Sequence, residues 1–453
     1  MKTVLKTLID YPLFEKYGKE YFINNKILPL YENDMSIKFG VCKSSKLENI
    51  KDDFTKLISF VEIDELELLF ILAHLDEKIS LYLLASKSIL QNSFEKYIDK
   101  FMDELLYFAI NLRASDIHIE QYNDVVLFKF RIDGRLKTFF AFKSEFFRLL
   151  SSYIKLISNL DMTQIRLPQD GRFTLNMKDK KYDFRVSSMP TLEAESIVLR
   201  ILDNKNINKN LQTLGLSSNL LDILIQSLKL TQGLILISGP TGSGKTTTLY
   251  SILQELNCEE KKIITVEDPI EYKIDSICQI PINNKIGLSF EMVLKNILRQ
   301  DPDIIFIGEI RDKFSLEIAL QASLTGHLVI ASIHANSAVE TISRLIDLQA
   351  DPFLIATTLK LVMAQRLVLN FCIYCQAKGC VKCNYTKYYD RSSIAEILKV
   401  DEIISSMIFK KSDINELKTY LEKINFRTML DDGKQKVSLN QTSLDEVYKV
   451  ISY

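Results

Sequence analysis

Four short apolar runs mark the second half of the chain: Gly233–Ser238, Lys262–Val266, Ile304–Ile307 and Leu328–Ser332. Each is short and without polar alternation, the pattern of a strand buried on both faces of a parallel sheet. Between them, apolar residues recur at helical spacing over Thr246–Leu256, Phe290–Gln300 and Phe314–Leu324. Strand and helix therefore alternate from 212 to 371, which predicts an α/β fold.

The rest of the chain has a different texture. Residues 96–203 open with a helical pattern over Phe101–Leu112 and continue into alternation from Arg113 to Glu120. Asp133-Gly134, set between Val125–Ile132 and Leu136–Phe140, is a hairpin signal. Arg166-Leu-Pro-Gln-Asp-Gly-Arg172 reads as a further turn, with strands following through Arg185 and Arg200. Residues 1–95 mix short strand and helix patterns, the best of them a helix over Asp64–Leu75. The polar, Asn/Lys-rich stretch at 204–211 has no periodicity and reads as a linker that lets its flanks move. Residues 384–453 look mainly helical and charged.

Composition narrows the class. At 453 residues, with 47% hydrophobic and 25% charged positions, the chain is an ordinary globular sequence long enough for about three domains. A net charge of −1 gives no global reason to expect nucleic acid, and no aromatic–basic groove is visible, so direct nucleic-acid binding is not expected. The most apolar long stretch, Leu66–Ala85, is interrupted by Asp76, Glu77 and Lys78, and the N-terminus lacks a signal-peptide core. A cytoplasmic location follows, with membrane contact only through partners. Of seven cysteines, Cys42, Cys258 and Cys278 are scattered and read as buried reduced thiols. Cys372, Cys375, Cys380 and Cys383 form two CxxC pairs that can supply four thiolates to a tetrahedral zinc ion.

The candidate chemistry starts at Gly239-Pro240-Thr241-Gly242-Ser243-Gly244-Lys245-Thr246-Thr247. A G-x-x-x-x-G-K-[ST] pattern between a buried strand and a helix is a phosphate-binding loop. Its glycines let backbone N–H groups close on an anion at a helix N-terminus. Lys245 would reach the β- and γ-phosphates of ATP, and the Thr246 hydroxyl would hold Mg²⁺. Hydrolysis also needs a residue that activates water, a second Mg²⁺ contact and a γ-phosphate sensor, sought at strand C-termini. Glu267 is the first choice for activating water, with Asp268 and Glu271 as helpers. Glu309 follows a second strand and would support Mg²⁺. His327 and His334 bracket a third strand, seven residues apart and on opposite faces, so they do not form a pair. His334, at the strand's end, is the better sensor. His118 reads as structural.

GPTGSGKTTTLY, ITVEDPIEY, ILRQDPDIIFIGEIRD and TGHLVIASIHAN together resemble the Walker A, Asp, Walker B and His boxes of the type II secretion and type IV pilus assembly ATPases. ASDIHIE at 114–120, RLPQDGR at 166–172 and RVSSMPT at 185–191 also match. The resemblance implies a RecA-like P-loop ATPase domain preceded by a PAS-like α+β domain at 96–203, in a homohexamer that hydrolyses ATP to drive pilin or pseudopilin assembly. It implies that Arg172 and Arg185 complete the nucleotide site, with Arg299, Arg311 and Arg366 near the nucleotide or a subunit interface. Residues 1–95 are similar to a small domain that docks such ATPases on a membrane-anchored protein, and an inner-membrane platform protein is the implied output. The cysteine pairs resemble that family's zinc site, here with a spacer of only Gln376–Gly379 in place of a longer loop; Lys295 stands where an arginine is common. A pilus retraction motor and a nucleotide-gated regulatory module are the alternatives.

Overall fold

The structure, a computed structural model, describes residues 9–48, 50–90, 94–177, 180–202 and 210–451. The linker expected at 204–211 lies outside the described residues up to 209. Asn210 caps a short 3₁₀ turn, Leu211–Leu214, by accepting from the Thr213 N–H at 3.1 Å. The chain divides into two compact units, Met1–Asp203 with Cys372–Asp390, and Asn204–Phe371 with Arg391–Tyr453. Among the described residues, no helix is long and apolar enough to cross a membrane.

The first unit contains two sheets. Strands β1 (Ile27–Glu32), β2 (Ser36–Val41) and β3 (Leu57–Glu62) form the smaller, antiparallel then parallel. The helix Glu65–Ala73 starts where Asp64 accepts the Glu67 N–H, as the sequence pattern predicts. The larger sheet is antiparallel, in the order β6-β5-β4-β9-β8-β7: β4 (Ala114–Tyr122), β5 (Val125–Ile132), β6 (Arg135–Lys143), β7 (Gln169–Met177), β8 (Lys180–Pro190) and β9 (Glu195–Leu202). Asp133 and Gly134 turn β5 into β6 with φ of 50° and 86°, the left-handed pair such a two-residue turn requires. The stretch expected to be a turn through Arg172 is strand from Gln169 onward, because Gly171 and Arg172 pair with Val186 and Arg185. Aromatic rings fill the core, among them Phe101, Phe128, Phe140 and Phe146. Two buried lysines are satisfied locally: Lys78 donates to the Phe139 carbonyl at 2.5 Å, and Lys155 pairs with Glu195 at 2.7 Å.

The second unit is built on a seven-stranded sheet, β12-β11-β13-β14-β10-β15-β16. Its members are β10 (Gly233–Ser238), β11 (Ile263–Glu267), β12 (Cys278–Pro281), β13 (Ile304–Ile307), β14 (Leu328–Ile333), β15 (Leu359–Phe371) and β16 (Tyr388–Lys399). The pairs from β12 through β15 are parallel. Every residue of β10, β11, β13 and β14 is buried, which explains their unbroken apolar sequences. Residues 384–453 do not begin helical: β16 forms the sheet's last strand, and helices follow only from Glu402. Cys258 and Cys278 also depart from expectation. Both are exposed, and of the three scattered cysteines only Cys42 is buried.

Candidate nucleotide site

The parallel sheet sets the site, because its strands all end at one edge. Ser238 of β10 lies level with Ile333 of β14, Ala331 with Ile307 of β13, and Ile307 with Val266 of β11. The loops that follow therefore bring Gly239–Thr247, His334, Glu309 and Glu267 to one place, where ligands of open α/β sheets bind. They surround a cleft of about 620 Å³.

Pro240, Thr241, Gly242, Gly244, Lys245, Thr246 and Thr247 face the cleft, while Gly239 and Ser243 stand behind it. Gly239 has φ of 152°, and a Cβ there would come 2.7 Å from the Gln365 carbonyl oxygen, so the loop can turn here only without a side chain. Lys245 donates to the Gly239 and Pro240 carbonyls at 2.6 and 3.1 Å. Burial lowers its pKa, Glu309 partly offsets this and Arg366 adds to it. Lys245 begins the helix Lys245–Leu256, so N–H groups and ammonium share one end of the cleft.

The two carboxylates differ in setting. Glu267 is 4% exposed and takes the Thr265 hydroxyl at 2.6 Å and the Gln279 amide at 3.2 Å on Oε1, and the Tyr250 hydroxyl on Oε2. Glu309 is more open, held between Arg311 Nε at 2.6 Å and His334 Nε2 at 2.7 Å. Burial lowers the His334 pKa, Lys245 and Arg311 lower it further, and Glu309 opposes them. A neutral ring this close to a carboxylate carries its proton on Nε2 and donates it. His327 sits at the other end of β14, its Nδ1 2.9 Å from the Ala322 carbonyl, where it finishes the preceding helix.

Sequence reasoning missed the residue that anchors the phosphate loop. Gln365, fully buried on β15, donates to the Ser243 carbonyl and accepts from the Thr248 hydroxyl, both at 2.9 Å. Its neighbour Arg366 is also buried and donates to Asn336 O and Oδ1 at 3.1 and 3.2 Å, two residues past His334. The detectable signal is a polar pair, Gln365-Arg366, inside the otherwise apolar run Leu361–Leu369. Arg366 thus holds the His334 loop from within. Arg172 and Arg185 belong to the first unit, where they are partners across β7 and β8 on the face opposite the stacked Phe173 and Phe184. Arg299 hydrogen-bonds Asn296.

The cysteine cluster lies in the first unit. The four sulfurs fall within 4.8 Å of one another, with Cys372–Cys380 at 3.9 Å, Cys375–Cys383 at 3.8 Å and Cys380–Cys383 at 3.8 Å. Four thiolates at about 2.3 Å from a shared tetrahedral zinc ion would stand roughly 3.8 Å apart. Backbone N–H groups of Gly379 and Cys380 donate to the sulfurs of Cys375 and Cys383 at 3.3 and 3.2 Å. The short spacer closes because Gln376, Ala377 and Gly379 take positive φ. A Cβ on Gly379 would press to 2.9 Å on Leu66 Cδ2, so this turn needs glycine twice over. These residues fit a tetrahedral metal.

A model of the type II/IV secretion system protein family matches residues 91–449. The chain belongs to this family. With the relatives that follow, this makes it an ATPase of secretion or pilus assembly. The type II secretion system protein HxcR of Pseudomonas aeruginosa is 40% identical over 359 residues, which are 78% of this chain and 76% of that protein. The type II secretion system ATPase E of Vibrio cholerae serotype O1 is 39% identical over 390 residues, 81% of this chain and 77% of that one. The X-ray structure of the Legionella pneumophila ATPase DotB aligns with a TM-score of 0.62 at 26% identity, covering 78% of this chain and 95% of that one. Family membership accounts for the RecA-like α/β core found around the cleft.

Proposed function

We propose that this chain is the motor of a type II secretion, type IV pilus or DNA-uptake machine. It works as a homohexamer that turns ATP hydrolysis into displacement of an inner-membrane platform protein. The observation that carries this reading is the single cleft shared by Lys245, Glu267, Glu309 and His334. Lys245 would exchange its two carbonyl partners for phosphate oxygens. Thr246 and Glu309 are the residues that would hold Mg²⁺, which when bound neutralises charge on the β- and γ-phosphates. Glu267 would accept the proton of the water attacking γ-phosphorus in line. His334, giving up Glu309, would turn its Nε2–H toward the γ-phosphate. Arg172 and Arg185 would reach the nucleotide of a complete ring and offset transition-state charge.

The four cysteines would hold a structural zinc ion, residues 1–95 would dock on a membrane-anchored partner, and the protein would be cytoplasmic and peripheral to the inner membrane through those partners. ATP turnover against protein concentration, for wild type, Lys245→Ala and Arg172→Ala, tests the motor reading. Activity per chain should rise with concentration, and both substitutions should abolish it while Arg172→Ala still binds ATP. Turnover of a concentrated wild type no faster than that of Lys245→Ala would refute it.

A further inference from the structure

Tyr250 closes the stretch GPTGSGKTTTLY, five residues past Lys245 and beyond the phosphate loop itself. Tyr250 lies on the helix that leaves the phosphate loop and is 3% exposed. Its oxygen receives two backbone N–H groups from the loop after β11, Glu271 at 3.2 Å and Tyr272 at 3.4 Å. With both lone pairs so taken, the phenolic proton goes, among the described residues, to Oε2 of Glu267. Burial, and then the contact with Glu267, push the Tyr250 pKa up, so the group remains a donor.

Counting acceptor sites gives the consequence. A carboxylate offers about four lone-pair positions. On Glu267, Thr265 and Gln279 fill Oε1. The Gln279 amide cannot be reversed without loss, because its own oxygen takes the Ile274 N–H at 2.7 Å. Tyr250 takes one position on Oε2, and a single position on that oxygen is left for the cleft that Glu267 lines.

We propose that Tyr250 is a positioning residue for Glu267: its hydroxyl aims the one free lone pair of the carboxylate at the attacking water and ties that aim to the helix that begins with the phosphate-binding Lys245. The proposal rests on the reading of Glu267 as the proton acceptor. Phosphate binding and water activation are then linked through one helix turn and a half.

The test compares Tyr250→Phe, Glu267→Gln and the double variant in steady-state hydrolysis, with ATP affinity measured on the same preparations. Phenylalanine keeps the ring that meets Tyr272 edge-on at 5.5 Å and removes only the hydroxyl. The expected result is a kcat lower by roughly tenfold in Tyr250→Phe at unchanged KM and ATP affinity, since misdirected catalytic groups cost rate rather than binding. Glu267→Gln should lose roughly a hundredfold, and the double variant should be no slower than Glu267→Gln. A Phe variant with normal kcat, one that binds ATP poorly, or a double variant slower than Glu267→Gln would each overturn the Tyr250 proposal. Full activity in Glu267→Gln would overturn the role of Glu267 itself, and that outcome is separate from the others.

Discussion

Replacing Gln365 by methionine isolates what holds the phosphate loop in shape before any phosphate arrives. Methionine matches glutamine in length and volume, so no cavity opens at this fully buried position. What disappears is the donor to the Ser243 carbonyl and the acceptor for the Thr248 hydroxyl, each at 2.9 Å. A buried polar group left without its partner costs about 1–3 kcal/mol, so the two together cost about 2–6 kcal/mol if the loop stays where it is. If the loop relaxes instead, nucleotide binding must restore it, and a penalty of about 2 kcal/mol corresponds to roughly thirtyfold weaker binding. Titration calorimetry with ATP and Mg²⁺ should therefore give a Kd higher by roughly tenfold to a hundredfold in Gln365→Met. Affinity within twofold of wild type would refute the reasoning and make Gln365 a residue of the fold alone.

Two further predictions concern the first unit. Burial among Phe70, Phe139 and Phe140, with Lys137 nearby, lowers the Lys78 pKa from 10.5 to about 7. Because the folded value is the depressed one, the stability this group contributes is present above pH 10.5 and is lost as pH falls to about 7. Lys78→Met should be more stable than wild type at pH 7, with the gap closing by about 1.4 kcal/mol per unit as pH rises. Guanidinium unfolding followed by circular dichroism at pH 7 and 9.5 checks this, and a gap that does not change refutes it. For the cysteines, a thiol reagent added to native protein should modify Cys258 and Cys278 at once, and four more thiols only after a chelator has removed about one zinc per chain. Reaction of the cluster before chelation, or less than half a zinc per chain, refutes the metal site.

Much of the site was legible because its pieces are contiguous. A buried strand, a glycine-rich turn and a helix sit within about two dozen residues, and Glu267, Glu309 and His334 each stand at the C-terminal end of a strand or within two residues of it. What was hidden depends on long-range pairing. Gln365 and Ser243 are 122 positions apart, and nothing in a local window connects them. The strand β16 was concealed by its own composition: Ala395-Glu396-Ile397-Leu398-Lys399 consists of good helix formers apart from Ile397. The buried Glu396 resolves the conflict, since its carboxylate accepts the first N–H groups of two helices, Ala338 at 2.7 Å and Met429 at 3.0 Å. Tertiary packing overrode propensity there. The burial of a lone cysteine was beyond prediction, because Cys258 and Cys278 carry no periodic pattern around them.

Adjacent residues of a strand face opposite ways, and β15 uses this at Gln365 and Arg366. Leu361 and Met363 share one side of the sheet's packing with Gln365, while Val362, Ala364 and Val368 share the other with Arg366. One side chain holds the phosphate loop and the next holds the segment beyond His334. Both grips are thus indexed to the same reading frame of backbone. Deleting a single residue between Leu359 and Ala364 would bring Arg366 to the phosphate loop in place of Gln365 and Leu367 to the histidine segment in place of Arg366, spoiling two halves of the site with one edit that touches neither.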